Sequence, residues 1–245
     1  MNIVSFGGGT NSAAVLVGMY QKGIPIDLIL FADTGAEHPH TYRFIETMDA
    51  WLAERGLPKI TVVKNVDRHG NRFSLEMECI RSNTLPSIAY GNKRCSHKHK
   101  IAPQDKFCNN YPPCREVWAQ GERVYKFIGF DADEQRRRDN ALKYDLKDKK
   151  YIKQYPLISW GWNRNDCVRE LRNAGLPQPG KSSCFFCPSM KKPEIEALKR
   201  DYPELFNRAI AIESAALPHL IKVKGLGRNF SWKSKYGTED RKNEN

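Results

Sequence analysis

Short apolar runs alternate with amphipathic stretches along the first ninety residues of this 245-residue chain. The apolar runs predict β-strands over residues 3–5, 27–31 and 60–64, and a fourth lies at 124–129. Apolar residues at helical spacing predict helices over 12–20 and 40–54. Strands that alternate with helices are typical of βαβ units. The pattern therefore predicts an α/β fold with a mostly parallel, doubly wound sheet.

The pattern becomes helical after Trp160-Gly161-Trp162. Three further helices are predicted, over residues 164–174, 193–200 and 203–216. The stretch 83–120 is rich in Pro, Asn and basic residues, which favours loops and short helices. We therefore predict a sheet domain over 1–160, a small helical, cysteine-bearing subdomain over 161–221 and a mobile basic tail over 222–245.

The net charge of the chain indicates which classes of partner it could bind. Forty basic and 28 acidic side chains give a net charge of +12, which favours polyanionic partners such as DNA, tRNA or a phosphate-rich ligand. A merely well-solvated basic surface is the alternative. No stretch approaches the roughly 18 consecutive apolar residues of a membrane span, and the first strand follows no signal-peptide pattern. We therefore expect a cytoplasmic protein without a membrane partner.

Seven cysteines are spaced too unevenly for a secreted disulfide framework. Cys184 and Cys187 form a C-x-x-C, in which a turn aims two thiolates at one metal. Cys95 lies in Lys93-Arg94-Cys95-Ser96, beside cations that favour its thiolate. The spacing therefore favours metal or redox chemistry at these three cysteines. The other four are expected to be buried thiols, namely Cys79, Cys108, Cys114 and Cys167.

A glycine-rich loop, Ser5-Phe6-Gly7-Gly8-Gly9-Thr10-Asn11-Ser12, joins the first predicted strand to the first helix. Its glycines permit a sharp turn that presents backbone amides, and the helix adds the positive end of its dipole. Asn11 or Ser12 is expected to cap the helix. Asp33 and Thr34 end the neighbouring strand, on the side where ligands bind in open α/β sheets. Together the two loops predict a nucleotide site, although the first is neither a Walker A loop nor a G-x-G-x-x-G motif.

These residues resemble a known superfamily. Gly8-Gly9-Thr10-Asn11-Ser12 is similar to the G-G-x-D/N-S loop of the adenine nucleotide α-hydrolase (PP-loop) superfamily, which includes ATP pyrophosphatases and phosphoadenosine-phosphosulfate (PAPS) reductases. Phe31–Glu37 resembles the F-A-D-T-G-x-E segment of reductase-like members. Three further segments are also similar to segments of this superfamily. The first contains Arg94-Cys95-Ser96 and Lys100, the second contains Gly129, Asp133-Glu134 and Arg137, and the third is Ser183–Pro188. Over residues 2–215 the chain resembles PAPS-reductase-like proteins of phages.

The resemblance implies binding of ATP or a related adenine nucleotide with Mg²⁺. Asp33 is expected near the nucleotide or its magnesium ion, and Arg94, Lys100 and Arg137 are expected to neutralise charge during catalysis. The implied nucleotide-binding residues are Ser5, Gly7, Gly8, Gly9, Thr10, Asn11, Ser12, Asp33, Thr34 and Gly129.

The resemblance also implies a metal centre. In related enzymes, cysteines at the positions of Cys95, Cys184 and Cys187 hold a 4Fe-4S cluster. Cys167 is the expected fourth ligand, and a three-cysteine cluster with one open iron is the alternative. Zn²⁺ is a further alternative, for which Cys108 and Cys114 could supply a second pair.

One departure from the family pattern decides which of the three possible functions we expect first. Sulfonucleotide reductases carry a C-terminal nucleophilic cysteine, whereas no cysteine follows Cys187 in this sequence. We therefore expect ATP pyrophosphatase-type adenylation, coupled to sulfur transfer from a donor protein or to nucleic-acid modification. PAPS or adenosine-phosphosulfate reduction is the second hypothesis, and a non-catalytic nucleotide-sensing or nucleic-acid-binding module is the third.

Overall fold

The computed structural model describes residues 1–237. Its centre is a sheet of five parallel strands, β1 (Asn2–Phe6), β2 (Leu28–Asp33), β3 (Ile60–Lys64), β4 (Val124–Ile128) and β5 (Tyr151–Gln154). The strand order is β3-β2-β1-β4-β5, with Ile3 opposite Leu28 on β2 and opposite Lys126 on β4. The four strands predicted from the sequence are confirmed, and β5 was missed.

Helices follow or precede each strand. In the described part of the chain they are α1 (Thr10–Gln21), α2 (Pro39–Ala53), α3 (Leu75–Ser82), α4 (Arg94–Ser96), α5 (Ala102–Asn110), α6 (Pro112–Ala119), α7 (Gln135–Asp145), α8 (Pro156–Ser159), α9 (Arg164–Asn173), α10 (Lys192–Asp201), α11 (Pro203–Ala216) and α12 (Trp232–Tyr236). The predicted helices lie within about two residues of α1, α2, α9, α10 and α11. A π-helical turn over His97–Ile101 links α4 to α5.

Side chains alternate between the two faces of the sheet. Val4 and Phe6 of β1 pack with α1, α2 and α9 in one apolar core. Ile3 lies in another core, with Cys108 of α5 and Cys114 of α6. All six residues of β2 are buried, as expected for a parallel strand covered on both faces. Helices therefore cover both faces, which confirms the doubly wound α/β fold.

The chain divides into two compact units, each built from separate stretches of sequence. The first unit contains the sheet and comprises residues 1–32, 38–63 and 103–182. The second comprises residues 33–37, 64–102 and the described residues from 183 onward. The division into these units does not follow the predicted domain boundary after residue 160. Helix α9, which lies beyond that boundary, packs on α1 in the first unit, and residues 64–102, which lie before it, belong to the second.

The C-terminal segment is folded up to the last described residue, so the prediction of a mobile tail from Lys222 is wrong for residues 222–237. Leu226 and Trp232 are fully buried in the core of the second unit. The buried carboxylate of Glu213 accepts hydrogen bonds from the backbone amides of Leu226, Trp232 and Lys233. Residues 238–245 of the predicted tail lie outside the described residues. Among the described residues, none of the helices has the length and apolar character that crossing a membrane requires.

Candidate active site

The strand order places a crevice at the carboxyl ends of β1 and β4. The chain runs from β1 to β2 and β3 on one side, whereas β4 and β5 lie on the other. Ligands of open α/β sheets bind at such a switch point. A cavity of 460 Å³ opens there, entirely within the first unit. It is lined by Ser5, Gly7, Gly9, Thr10, Asn11, Ser12, Ile128, Gly129, Phe130, Asp131, Glu134, Arg137, Arg164, Gly180, Lys181 and Ser182.

The glycine-rich loop brings the start of α1 to this cavity. Gly8 has a positive φ of 71°, which a residue with a side chain rarely adopts. Helix α1 begins at Thr10, with Gly9 as its N-cap, so the expected cap at Asn11 or Ser12 is wrong in position. The Ser12 hydroxyl instead donates to the Gly9 carbonyl oxygen, 3.0 Å away. The first turn of α1, whose amides have no partners within the helix, and the positive end of the helix dipole therefore lie at the cavity. This arrangement suits a phosphate group.

Gly129 sets the distance between the end of β4 and this loop. A Cβ atom at Gly129 would lie 2.9 Å from the carbonyl carbon of Asn11 and 2.9 Å from the backbone nitrogen of Ser12. Both neighbours are backbone atoms of α1, so they could not turn aside as a flexible side chain can. A glycine is therefore required for the close approach that shapes the cavity.

Five polar side chains form a network along one wall of the cavity. Nδ2 of Asn11 donates to Oδ2 of Asp131 at 2.9 Å and to Oε2 of Glu134 at 3.2 Å. Nη1 of Arg164 donates to Oδ1 of Asn11 at 2.8 Å. Nη1 of Arg137 donates to Oε1 of Glu134 at 2.7 Å. Two carboxylates and two guanidinium groups thus line the same cavity, with Asn11 fixed between them.

The structure brings some of the predicted site residues to this cavity and not others, and the roles predicted for all of them stay predictions. Eight of the predicted residues line it, namely Ser5, Gly7, Gly9, Thr10, Asn11, Ser12, Gly129 and Arg137. Asp33 and Thr34 belong to the second unit, where Nη2 of Arg72 donates to Oδ2 of Asp33 at 2.7 Å. Arg94 and Lys100 also belong to the second unit, so the catalytic roles assigned to them and to Asp33 stay predictions. Sequence reasoning missed Asp131, Arg164 and residues 180–182.

The C-x-x-C cysteines lie in the second unit, where Cys184 is buried and Cys187 is half-buried. The Sγ of Cys184 lies 3.4 Å from Oγ1 of Thr34. Burial and the nearby Glu37 carboxylate raise the pKa of the Cys184 thiol well above its usual range. Burial opposes the charge of Lys100, but its ion pair with Glu37, at 3.0 Å, raises the pKa of Lys100 overall.

The four predicted metal ligands do not form a ready-made donor set. Cys95 and Cys187 pack against the apolar core that contains Cys184, whereas Cys167 is fully buried in the core of the first unit. Burial, followed by the Asp131 carboxylate, raises the pKa of Cys167 to about 12. Among the described residues, no three His, Cys, Asp or Glu side chains are grouped so that they could hold a metal ion. The metal centre at Cys95, Cys167, Cys184 and Cys187 therefore stays a prediction.

A second cavity, of 390 Å³, lies within the second unit. Cys79 and Cys95 both line it, beside Arg94, Lys98 and Tyr90. Burial and the Glu78 carboxylate raise the pKa of Cys79 to about 12, so its thiol stays protonated. Arg94, which the sequence predicted as a catalytic donor, is exposed at this second cavity.

The family model for the phosphoadenosine phosphosulfate reductase domain matches residues 1–170. The chain belongs to this family. The match covers more than half of the chain and includes the glycine-rich loop and β4. It confirms the predicted relationship to PAPS-reductase-like, nucleotide-using PP-loop proteins.

Three curated relatives extend the comparison. Two uncharacterized proteins of Methanocaldococcus jannaschii are 24% identical over 218 residues and 26% identical over 219 residues, or 84% and 85% of this chain. An uncharacterized nin region protein of Escherichia phage lambda, ORF290, is 29% identical over 155 residues, 56% of this chain. The matched regions span 40%, 46% and 50% of these relatives. The phage protein agrees with the phage-type resemblance expected of this PAPS reductase-domain chain.

Among solved structures, the PAPS reductase-domain chain is similar to a U34-tRNA thiolase, NcsA, from Methanococcus maripaludis, solved with its 4Fe-4S cluster. The TM-score is 0.40 at 15% sequence identity, over 90% of this chain and 73% of the thiolase.

Proposed function

We propose that this chain binds ATP in the cavity at the carboxyl ends of β1 and β4 and transfers its adenylate group to an acceptor. One observation supports the proposal above all: the cavity combines the amino-terminal turn of α1 with the guanidinium groups of Arg137 and Arg164. Helix N-termini and arginine side chains are both strong phosphate ligands. Membership of a nucleotide-using family supports the same ligand.

The proposed reaction is a displacement at the α-phosphorus of ATP. An acceptor oxygen forms a new bond to this phosphorus, the bond to the bridging oxygen of the β-phosphate breaks, and pyrophosphate leaves with the electron pair. Charge on the phosphate oxygens is stabilised by groups that are already in position. Arg164 donates to Asn11 and Arg137 to Glu134, and these contacts direct both guanidinium groups to the cavity that they line.

The carboxylates of the cavity fit the Mg²⁺ ion that the family implies. Asp131 and Glu134 provide hard oxygen donors beside the proposed phosphate site, and Mg²⁺ is typically held by one or two carboxylates plus phosphate oxygens. The ion, when bound, supplies charge neutralisation on the polyphosphate. Asn11 orients both carboxylates through its Nδ2 group.

We propose a sulfur-transfer or nucleic-acid-modifying role for the adenylated product, with tRNA or DNA as the polyanionic partner and a separate protein as sulfur donor. The net charge of +12 supports a polyanionic partner. A 4Fe-4S cluster at Cys95, Cys184 and Cys187 remains part of this proposal, supported by the C-x-x-C pair and by the shared apolar core. Such a cluster would need these three thiols to lie closer together than the described arrangement places them.

The proposal is tested by pyrophosphate and AMP release from ATP and Mg²⁺, with and without tRNA or DNA. We expect release by the wild type and a fall of about ten- to a hundredfold in kcat/KM for Arg164→Ala, the cost of one charge-assisted hydrogen bond. Arg172→Ala is the matched control, because Arg172 is an exposed residue of the same helix and is not among the cavity-lining residues. Failure of the wild type to bind or cleave any adenine nucleotide would refute the proposal.

Sulfonucleotide reduction is the second candidate, because the matched family is described as a reductase domain. It predicts thioredoxin-dependent release of sulfite from PAPS or adenosine phosphosulfate, which adenylation does not produce. A non-catalytic module is distinguished from both enzymes by nucleotide binding without turnover, and by a salt dependence of nucleic-acid affinity that follows counterion release.

A further inference from the structure

A segment distant in sequence from the glycine-rich loop completes the wall of the first cavity. Gly180, Lys181 and Ser182 all line it, and all three belong to the first unit. The segment has no regular secondary structure and ends two residues before Cys184 of the C-x-x-C. Neither the family match, which ends at residue 170, nor the sequence motifs assign it a role.

Two glycines allow this segment to approach its neighbours closely. A Cβ atom at Gly9 would lie 2.5 Å from Oγ of Ser182, so the absence of a side chain at Gly9 leaves room for the serine. A Cβ atom at Gly180 would overlap the imidazole ring of His40. The segment therefore lies directly over the N-cap of α1, where the phosphate groups are proposed to bind.

His40 holds the segment from outside the cavity. Its Nε2 is 3.1 Å from the carbonyl oxygen of Lys181, within hydrogen-bond distance. Its ring stacks on that of His38, with centroids 5.0 Å apart and the planes inclined by 15°. Both histidines belong to the start of α2, so a regular element anchors a segment that has no regular structure of its own.

We propose that Gly180–Ser182 is a second phosphate-binding segment, in which the ammonium group of Lys181 and the hydroxyl group of Ser182 bind the phosphates of the nucleotide. Lysine is a compact charge suited to this role, as in the P-loop. Asp131 and Glu134 line the same cavity, so an added cation offsets their repulsion of a polyphosphate. His40 is a positioning residue that acts through the Lys181 carbonyl group. This inference rests on the proposed nucleotide site and adds a second set of ligands to it.

The test measures the affinity of the full chain for ATP with Mg²⁺ and for adenosine, which lacks phosphate. Lys181→Ala is compared with Lys149→Ala, which removes the same charge at an exposed site that is not among the cavity-lining residues. We expect ATP to bind about ten- to a hundredfold more weakly to Lys181→Ala, the cost of a charge-assisted contact. Adenosine affinity should be equal in both variants and the wild type.

His40→Ala provides the second readout. As a positioning residue, His40 should weaken ATP binding when replaced while leaving adenosine binding and the melting temperature close to the wild type. Equal ATP affinities for Lys181→Ala and Lys149→Ala would overturn the inference and leave the proposed nucleotide site standing. An equal loss for ATP and adenosine would also overturn it. Failure of the wild type to bind ATP would instead refute the proposed function on which it rests.

Discussion

Glu213 offers a sharp test of how the C-terminal segment is held. This carboxylate is fully buried and accepts four hydrogen bonds. Oε1 accepts from the amides of Leu226 at 2.7 Å and Trp232 at 2.8 Å, and Oε2 accepts from the Ser231 hydroxyl and the Lys233 amide, both at 2.7 Å. Glu213→Gln keeps the shape of the side chain but turns one acceptor into a donor.

The expected cost follows from the number of bonds lost. In Glu213→Gln the amide oxygen can accept from one pair of donors, while the NH₂ group faces the other pair. A hydrogen bond to a charged group contributes about 1.5–3 kcal/mol, so two lost bonds cost about 3–6 kcal/mol. Removing a buried charge recovers part of its desolvation cost. We expect a net loss of about 3 kcal/mol, which is roughly a hundredfold increase in opening of the segment.

Native-state hydrogen exchange measures this opening at the three backbone donors, the amides of Leu226, Trp232 and Lys233. We expect these amides to exchange roughly a hundredfold faster in Glu213→Gln. Glu196→Gln, at an exposed position of α10, is the matched control and should exchange like the wild type. Unchanged exchange at all three amides of Glu213→Gln would refute the reasoning that this carboxylate anchors the segment.

Three further predictions concern the cavity, acid stability and thiol reactivity. Gly129→Ala should weaken ATP binding and destabilise the chain by about 1–3 kcal/mol in urea denaturation, since its Cβ overlaps loop backbone; unchanged affinity would contradict this. Although burial opposes the charge of Glu78, hydrogen bonds from Lys98 and His99 keep its pKa below the usual carboxyl range, and burial lowers the pKa of His99. In both cases the unfolded chain binds more protons, so urea denaturation should show stability falling below about pH 6.5 and again below about pH 4.5; constant stability across this range would contradict the assignment. Cys79, whose pKa is raised to about 12, should resist iodoacetamide at about pH 8 in the folded protein and react after denaturation, and rapid alkylation of the folded form would be evidence against its burial.

The sequence predicted the regular part of the fold because the core strands and helices carry strong patterns. Strand β5 escaped detection because only Tyr151 of its four residues is buried, so it shows no apolar run. The C-terminal segment was misinterpreted for a different reason. Its burial depends on two isolated side chains, Leu226 and Trp232, and on the polar anchor Glu213, none of which produces periodicity.

The glycine-rich loop could be recognised from the sequence because its residues are consecutive and form a motif. The place of Arg164 at the cavity could not be predicted from the sequence. Arg164 contacts Asn11, which is 153 residues away in sequence, and this contact depends on the packing of α9 against α1. Residues 180–182 carry no motif, and only the fold brings them over Gly9. Asp131 lies two residues before the recognised Asp133-Glu134 pair, and its position after β4 could have suggested it.

The central claim is that the cavity at the ends of β1 and β4 binds the phosphates of ATP. Equilibrium titration of ATP and Mg²⁺ against the wild type and the double variant Arg137→Ala, Arg164→Ala tests it most directly. We predict saturable binding at one site in the wild type, weakened at least a hundredfold in the double variant, because two charge-assisted contacts are removed. Equal ATP affinity of the two proteins, or no saturable binding by the wild type, would contradict the claim.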